Sequence, residues 1–130
     1  MLSCRSYSIQ LQTIFTAEYK RMVIVANLPY IPSHEVLELE DHVQGYEPHL
    51  ALDGGPTGAE IMIALLDEVW TLYASYNKEI LVFFEMDPVN IPPLDMWFNE
   101  HQGLSRIIKK DMNGIERFYQ ISFPSNTKNE

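Results

Sequence analysis

Met22-Val23-Ile24-Val25-Ala26, followed at once by Asn27-Leu28-Pro29-Tyr30, is the stretch that decides the fold. The first five residues form an unbroken apolar run rich in β-branched side chains, bounded upstream by Lys20-Arg21. Such a run reads as a strand buried on both faces, as in a parallel sheet. In open α/β sheets, ligands gather outside the carboxyl ends of the strands, which is where Asn27 to Tyr30 fall. On those four residues alone a plain turn is the simpler reading: the asparagine caps, the proline stiffens and the tyrosine packs.

Downstream, residues 33–56 read as a long connection rich in acids, His, Pro and Gly. A structureless connection of that size inside a compact domain is unusual and often functional. It closes on Thr57-Gly58-Ala59-Glu60, which has the form of a capping box, the Thr57 hydroxyl accepting from the Glu60 amide while the Glu60 carboxylate reaches back. The helix behind it carries Met62, Leu65, Leu66, Val69, Trp70, Leu72 and Tyr73 at helical spacing and is expected to run to about Tyr76, with Asn77 ending it. Ile80-Leu81-Val82-Phe83-Phe84 is a second buried strand closing on Glu85. Pro92-Pro93 opens a short helix that Gly103 stops. Leu104–Lys110 and Ile115–Phe123 read as a hairpin around Asp111-Met112-Asn113-Gly114, where Asn-Gly suggests a type I′ turn. Residues 1–19 have no regular pattern, 20–123 form one α/β domain, and 124–130 are a polar tail expected to be flexible.

The 130 residues suffice for one modest domain, and 46% hydrophobic content with 12% aromatics argues for a folded core. The net charge of −9, from 18 acids against 9 bases, discourages unspecific binding to nucleic-acid phosphates. The basic run Arg106-Ile107-Ile108-Lys109-Lys110 reads as decoration of one strand. Ile61–Leu66 and Ile80–Phe84, the longest apolar stretches, are too short to span a bilayer. No secretory leader is recognisable, and the single cysteine, Cys4, cannot form an internal disulfide; both fit a cytoplasmic protein. His34, His42, His49 and His101 have no tight ligand spacing, so no metal site is expected. Glu35, Glu38, Glu40 and Asp41 read as a solvated loop or short helix, and Trp70, Trp97 and Phe98 as core. Glu85, at a strand end, either faces a ligand or caps a helix.

Two distant segments give the first one its meaning. Asn27-Leu28-Pro29-Tyr30-Ile31-Pro32 is followed by Tyr46-Glu47-Pro48-His49-Leu50-Ala51-Leu52-Asp53-Gly54-Gly55-Pro56-Thr57-Gly58. The pair resembles the release-factor glutamine N5-methyltransferase family, which joins an Asn-Pro-Pro-Tyr-Ile-Pro run to a Glu-Pro, Ala-Leu, Gly-Gly, Gly segment. Leu81-Val82-Phe83-Phe84-Glu85 is similar to that family's strand ending in Glu, and Asp111, Gly114 and Arg117 to its closing residues. The resemblance covers roughly residues 20–122 in the family's order. It implies the second half of a Rossmann-like class I methyltransferase sheet ending in an antiparallel β-hairpin, with S-adenosyl-L-methionine as methyl donor. It further implies a peptide-chain release factor, through the glutamine of its Gly-Gly-Gln loop, as protein substrate. Asn27 and the main-chain carbonyl of Leu28 would accept from the glutamine amide, Tyr30 would pack on the amide plane, Pro29 would set the loop's shape, and Glu47 and Pro48 would contribute to the substrate side.

Three departures temper that expectation. The family has proline where Leu28 stands, so some local stiffness is lost while the carbonyl survives. Asn-Leu-Pro-Tyr also occurs in rRNA adenine dimethyltransferases, which makes a fragment of an rRNA or DNA adenine-type enzyme an alternative; residues 46–58 and the acidic charge speak against it. Finally, no stretch matches the glycine-rich cofactor loop: the glycines fall one, two and five residues after Asp53, with Pro56 between them, which fits a turn instead. The expectation is a truncated family member, inactive alone, with Asn27 the one candidate contact to the cofactor. A non-catalytic assembly module is the alternative, self-associating or joining a complementing cofactor-binding chain through the open edge of the strand at 22–26.

Overall fold

The computed structural model describes residues 18–43 and 53–125 of the chain. In order these form β1 (Arg21–Ala26), α1 (Ser33–Val43), α2 (Glu60–Ser75), β2 (Glu79–Glu85), a single 3-10 turn (Pro88–Asn90), α3 (Ile91–Asn99), β3 (Ser105–Lys110) and β4 (Glu116–Phe123). The strands make one sheet in the order β1-β2-β4-β3. β1 runs parallel to β2 from Arg21↔Glu79 to Ala26↔Phe84, whereas β4 is antiparallel to both β2 and β3. This mixed α/β sheet, a parallel pair completed by an antiparallel hairpin, is the architecture expected from the sequence.

The register explains the core. Met22, Ile24 and Ala26 lie beside Ile80, Val82 and Phe84, and these beside Phe123, Ile121 and Tyr119, so one face of the sheet is a continuous apolar surface. Met62, Leu66, Val69, Leu72 and Tyr73 of α2 and Leu94 and Trp97 of α3 join that face in one buried cluster. Each fully buried Leu, Ile or Phe side chain of this kind contributes about 1.5–3 kcal/mol. The two helices are also tied directly, the Trp97 indole donating to Asp67 over 2.8 Å. Trp97 is buried and Trp70 partly so, as expected of core aromatics, whereas Phe98, also expected in the core, is half-buried and outside the cluster.

Four local expectations need correction. β1 is buried on one face only: Val23 is 55% and Val25 79% exposed, because no described element packs on the other face of this outer strand. The connection after β1 is not structureless, since α1 occupies residues 33–43; its amides at Glu35 and Val36 reach the Pro32 carbonyl and Val36 is buried. The Thr57 hydroxyl accepts from the Ala59 amide (3.3 Å) rather than from Glu60, whose amide goes to the Gly54 carbonyl; the Glu60 carboxylate does reach back to the Thr57 amide and hydroxyl. The β3–β4 turn is not type I′, as Asn113 has negative φ and only Gly114 is left-handed (φ 79°). There Gly114 donates to the Asp111 carbonyl and Asp111 to that of Ile115, a type I turn followed by a glycine bulge. The Asp111 carboxylate fixes this form by accepting from the amides of Asn113 (2.8 Å) and Ile115 (3.0 Å).

One register shift matters for the site. Lys109 faces Phe118 but Lys110 faces Glu116, which leaves Arg117 as the extra residue of a bulge. Its carbonyl accepts from Met86 (2.7 Å), and its guanidinium pairs with Asp87 (2.9 Å) and Asp111 (3.4 Å). The hairpin is thereby fastened to the segment that follows β2.

A candidate amide-binding loop at the strand ends

Asn27, Leu28, Pro29 and Tyr30 leave the carboxyl end of β1, one residue beyond the last parallel pair, Ala26↔Phe84. Leu28 and Tyr30 are partly buried against the core, whereas Asn27 is exposed. Among the described residues, neither the Asn27 side chain nor the Leu28 carbonyl has a hydrogen-bonding partner. Two acceptor oxygens therefore sit close together in sequence, at the end of the sheet where ligands bind in this architecture. The Tyr30 hydroxyl reaches Glu85, at the end of the neighbouring strand, over 3.4 Å. Its phenol is pushed above the ordinary tyrosine range, first by burial and then by the negative charge of Glu85.

The loop's main chain is packed closely on the segment that begins at Asp53. Ile31 bridges to Asp53 in parallel fashion; Gly54 donates to the Ile31 carbonyl (2.9 Å) and Ser33 to that of Gly55 (2.9 Å). Asp53 braces the turn through its carboxylate, which accepts from the Ser33 hydroxyl (2.7 Å) and the Gly55 amide (2.9 Å). A Cβ on Gly54 would lie 2.7 Å from the Pro29 carbonyl oxygen and 2.8 Å from the Tyr30 Cα, so only glycine lets the two backbones meet here. Gly58 is left-handed (φ 84°), and a Cβ there would meet Asn90 Nδ2 at 2.6 Å and the Tyr30 carbonyl closer still.

Of the residues singled out from the sequence, Asn27, Leu28, Pro29 and Tyr30 thus form one loop, whereas Glu47 and Pro48 lie outside the described residues. Sequence reading missed Asn90. Its side chain joins positions 33 and 60 residues away, and a lone Asn before Ile91-Pro92 gives no sign of that. It also left the Glu85 contact to Tyr30 undecided.

The cofactor implied by the resemblance needs bare backbone against which an adenosine and a sulfonium can lie. Gly54, Gly55 and Gly58 are closed off by the chain's own atoms: Pro29 and Tyr30, the Glu60 side chain, and Tyr30 with Asn90, respectively. Gly103 and Gly114 lie at open turns beside β3. The described glycines therefore do not supply such backbone, and the glycine segment at 54–58 is a support for the loop. No group of three or more metal-capable side chains comes together among them, and no described helix is long and apolar enough to cross a membrane.

A parallel strand pair ending in an acceptor-bearing loop, completed by an antiparallel hairpin, is consistent with the second half of a Rossmann-like methyltransferase sheet. Comparison with curated proteins gives the narrower group. The chain is 31% identical over 102 residues to a release factor glutamine methyltransferase of Thermosynechococcus vestitus, a match covering 78% of this chain and 34% of the relative. It is 35% identical over 96 residues to the enzyme of that name from Rhodospirillum rubrum, covering 73% of this chain and 28% of the relative. A human release factor glutamine methyltransferase is 28% identical over 102 residues, covering 76% and 29%. The chain belongs to the release factor glutamine methyltransferase family and spans about a third or less of the length of the curated relatives it matches. No protein-family model and no solved structure matches it.

Proposed function

We propose that the Asn27–Tyr30 loop receives the side-chain amide of a protein glutamine, the acceptor in methyl transfer to N5. By the family's name, that glutamine belongs to a release factor, and the resemblance carried by the motifs implies its Gly-Gly-Gln loop. The amide nitrogen is a poor nucleophile because its lone pair is shared with the carbonyl. Two fixed acceptors, Asn27 Oδ1 and the Leu28 carbonyl, would take one N–H each, orient the nitrogen and favour the positive charge it gains on attack. The Tyr30 ring would flank the amide plane and keep water from it. S-adenosyl-L-methionine is the methyl donor expected for the family, with Asn27 its one candidate contact in the loop.

The observation that supports this reading is that Asn27 and the Leu28 carbonyl have no hydrogen-bonding partner among the described residues, while the adjoining Pro29 and Tyr30 main chain packs closely on Gly54 and Gly58. The test is titration of the isotope-labelled chain with a short Gly-Gly-Gln peptide and with its Gly-Gly-Glu counterpart. Shifts confined to residues 27–31 are expected with the first peptide only, and Asn27→Ala is expected to abolish them. Equal responses to the two peptides, or none to either, would overturn the assignment.

A further inference from the structure

Asn90 is fully buried, in the 3-10 turn that follows β2. Buried polar side chains must find partners, and both the oxygen and the nitrogen of this one are engaged, with three segments between them. Its Oδ1 accepts from the Asp87 amide (2.8 Å), which closes its own turn. Its Nδ2 donates to the carbonyl of Tyr30 (2.9 Å) and, at 3.3 Å, to that of Thr57. The acceptor arm therefore serves the turn, while the donor arm serves the candidate loop and the glycine segment beneath it. Space is cleared for the donor arm: a Cβ on Gly58 would stand 2.6 Å from Nδ2. The turn itself is anchored from the far side, because Asp87 pairs with Arg117 at the β4 bulge.

From this geometry we infer that Asn90 is a positioning residue for the Asn27–Tyr30 loop, fixing the Tyr30 main chain and, through it, the acceptors at Asn27 and Leu28. Resting as it does on the amide-binding reading given above, the role makes a protein glutamine amide the ligand whose binding depends on Asn90. A cap of the turn alone would use only Oδ1. The donor arm, which reaches across 60 residues of sequence to the loop, is what separates the two roles.

Asn90→Asp divides them, since it keeps an acceptor for the Asp87 amide and replaces the donor by a carboxylate facing two carbonyl oxygens. At neutral pH the Tyr30 and Leu28 carbonyl carbon resonances are expected to move, and affinity for the Gly-Gly-Gln peptide to fall about tenfold, the loss expected for one buried hydrogen bond. The amides of Asp87 and α3 should hold their positions. On acidification the introduced carboxyl gains a proton, can donate to the Tyr30 carbonyl, and should return those carbonyl signals toward their original positions more than acid moves them in the unsubstituted chain. Resonances at 28 and 30 that stay unmoved, or that move only together with those of the whole turn, would overturn the inference.

Where the Asp variant does not fold, the unsubstituted chain decides. Slow exchange of the Asn90 side-chain amide protons, with nuclear Overhauser contacts to Tyr30 and Ile31, is required, and their absence would overturn the inference equally. The carbonyl arm needs no peptide, so a failure of the amide-binding reading, seen as no peptide response in the unsubstituted chain, is distinguishable from a failure of Asn90 to position the loop.

Discussion

Gly58 and Gly103 offer a matched pair for measuring how much of the stability of this chain resides in the underside of the loop. Both are left-handed, with φ of 84° and 87°, so replacing either by alanine brings the same backbone penalty, about 1–2 kcal/mol. They differ in surroundings. Nothing lies within 4 Å of a Cβ built on Gly103, whereas one on Gly58 would overlap the Tyr30 carbonyl oxygen and stand 2.6 Å from Asn90 Nδ2 and 3.0 Å from the Pro32 nitrogen. To relieve that overlap the Tyr30 main chain must shift and Asn90 must withdraw, leaving its buried amide and the carbonyls of Tyr30 and Thr57 without their bonds, a loss of about 1–3 kcal/mol. Gly58→Ala is therefore expected to cost about 2–5 kcal/mol in total and Gly103→Ala about 1–2 kcal/mol. For a chain of this size unfolding in urea with an m-value near ~1 kcal/mol/M, the two midpoints should differ by roughly 1–3 M. Equilibrium urea unfolding followed by tryptophan fluorescence measures this, since Trp70 and Trp97 sit in the core region. The Asn90 side-chain amide resonance should shift in the Gly58 variant alone. Midpoints that agree within ~0.3 M would refute the reasoning, because the contacts beneath the loop would then contribute nothing beyond ordinary turn geometry.

Two further perturbations probe the frame around the loop. The buried Tyr119 hydroxyl donates to Asp95 (2.6 Å), which also pairs with Arg106 (2.9 Å), and burial followed by the Asp95 carboxylate raises the phenol well above its ordinary range. Asp95→Ala should destabilise by about 1–3 kcal/mol, and Asp95→Asn, which retains an acceptor, by clearly less; equal losses in urea unfolding would rule out the hydrogen bond as the cause. The Asp111 carboxyl is held below its ordinary value of 3.8, chiefly by the Ile115 amide and then by Asn113 and Arg117. A depressed carboxylate stabilises the fold fully above that ordinary value, and the contribution is lost as pH falls through the lower folded-state value. Carbon-detected titration should thus place the Asp111 midpoint below 3.8, and Asp111→Asn should flatten the acid limb of the stability profile in that same range; a midpoint at or above 3.8 would sink the claim.

What the sequence disclosed followed from how strongly local pattern and tertiary context agreed. β2, α2 and the terminal hairpin carry unambiguous periodicities, and their observed limits lie within about two residues of those read from the sequence. For α1 the sequence admits both a solvated loop and a short helix, because Val36, Leu39 and Val43 are its few apolar positions at helical spacing among acids and histidines, a weak signal beside the Pro- and Gly-rich stretch that follows. The Val-Ile-Val run of β1 reads the same whether or not anything covers its second face, so exposure of Val23 and Val25 could not be foreseen. Asn113-Gly114 suggested one turn type, but the Asp111 side chain captured two amides and selected another. The same contrast holds in the candidate site. Asn27 to Tyr30 stand together in the chain and are visible as a motif, whereas Asn90, Gly54 and Gly58 matter only through what the fold sets against them.

That contrast bears on Leu28, the position at which this chain parts from its family's proline. Proline at 28 would hold the loop by fixing a backbone angle from within. Here the constraint comes from outside. The β1 ladder ends at Ala26, the Pro29 carbonyl lies against Gly54, and the Tyr30 carbonyl is taken by Asn90 over 2.9 Å. Leu28 itself is packed against the core, so its side chain adds an anchor that a proline ring would not match in reach. Confining one residue's backbone costs about 1–2 kcal/mol, and a buried hydrogen bond together with core packing is of the size needed to offset it. With fixed points on both sides inside five residues, the carbonyl of Leu28 has few directions left to it. Stiffness lost from the motif is supplied by Gly54, Gly58 and Asn90, which is why an exchange that looks like decay in the sequence leaves the loop's geometry with a physical basis.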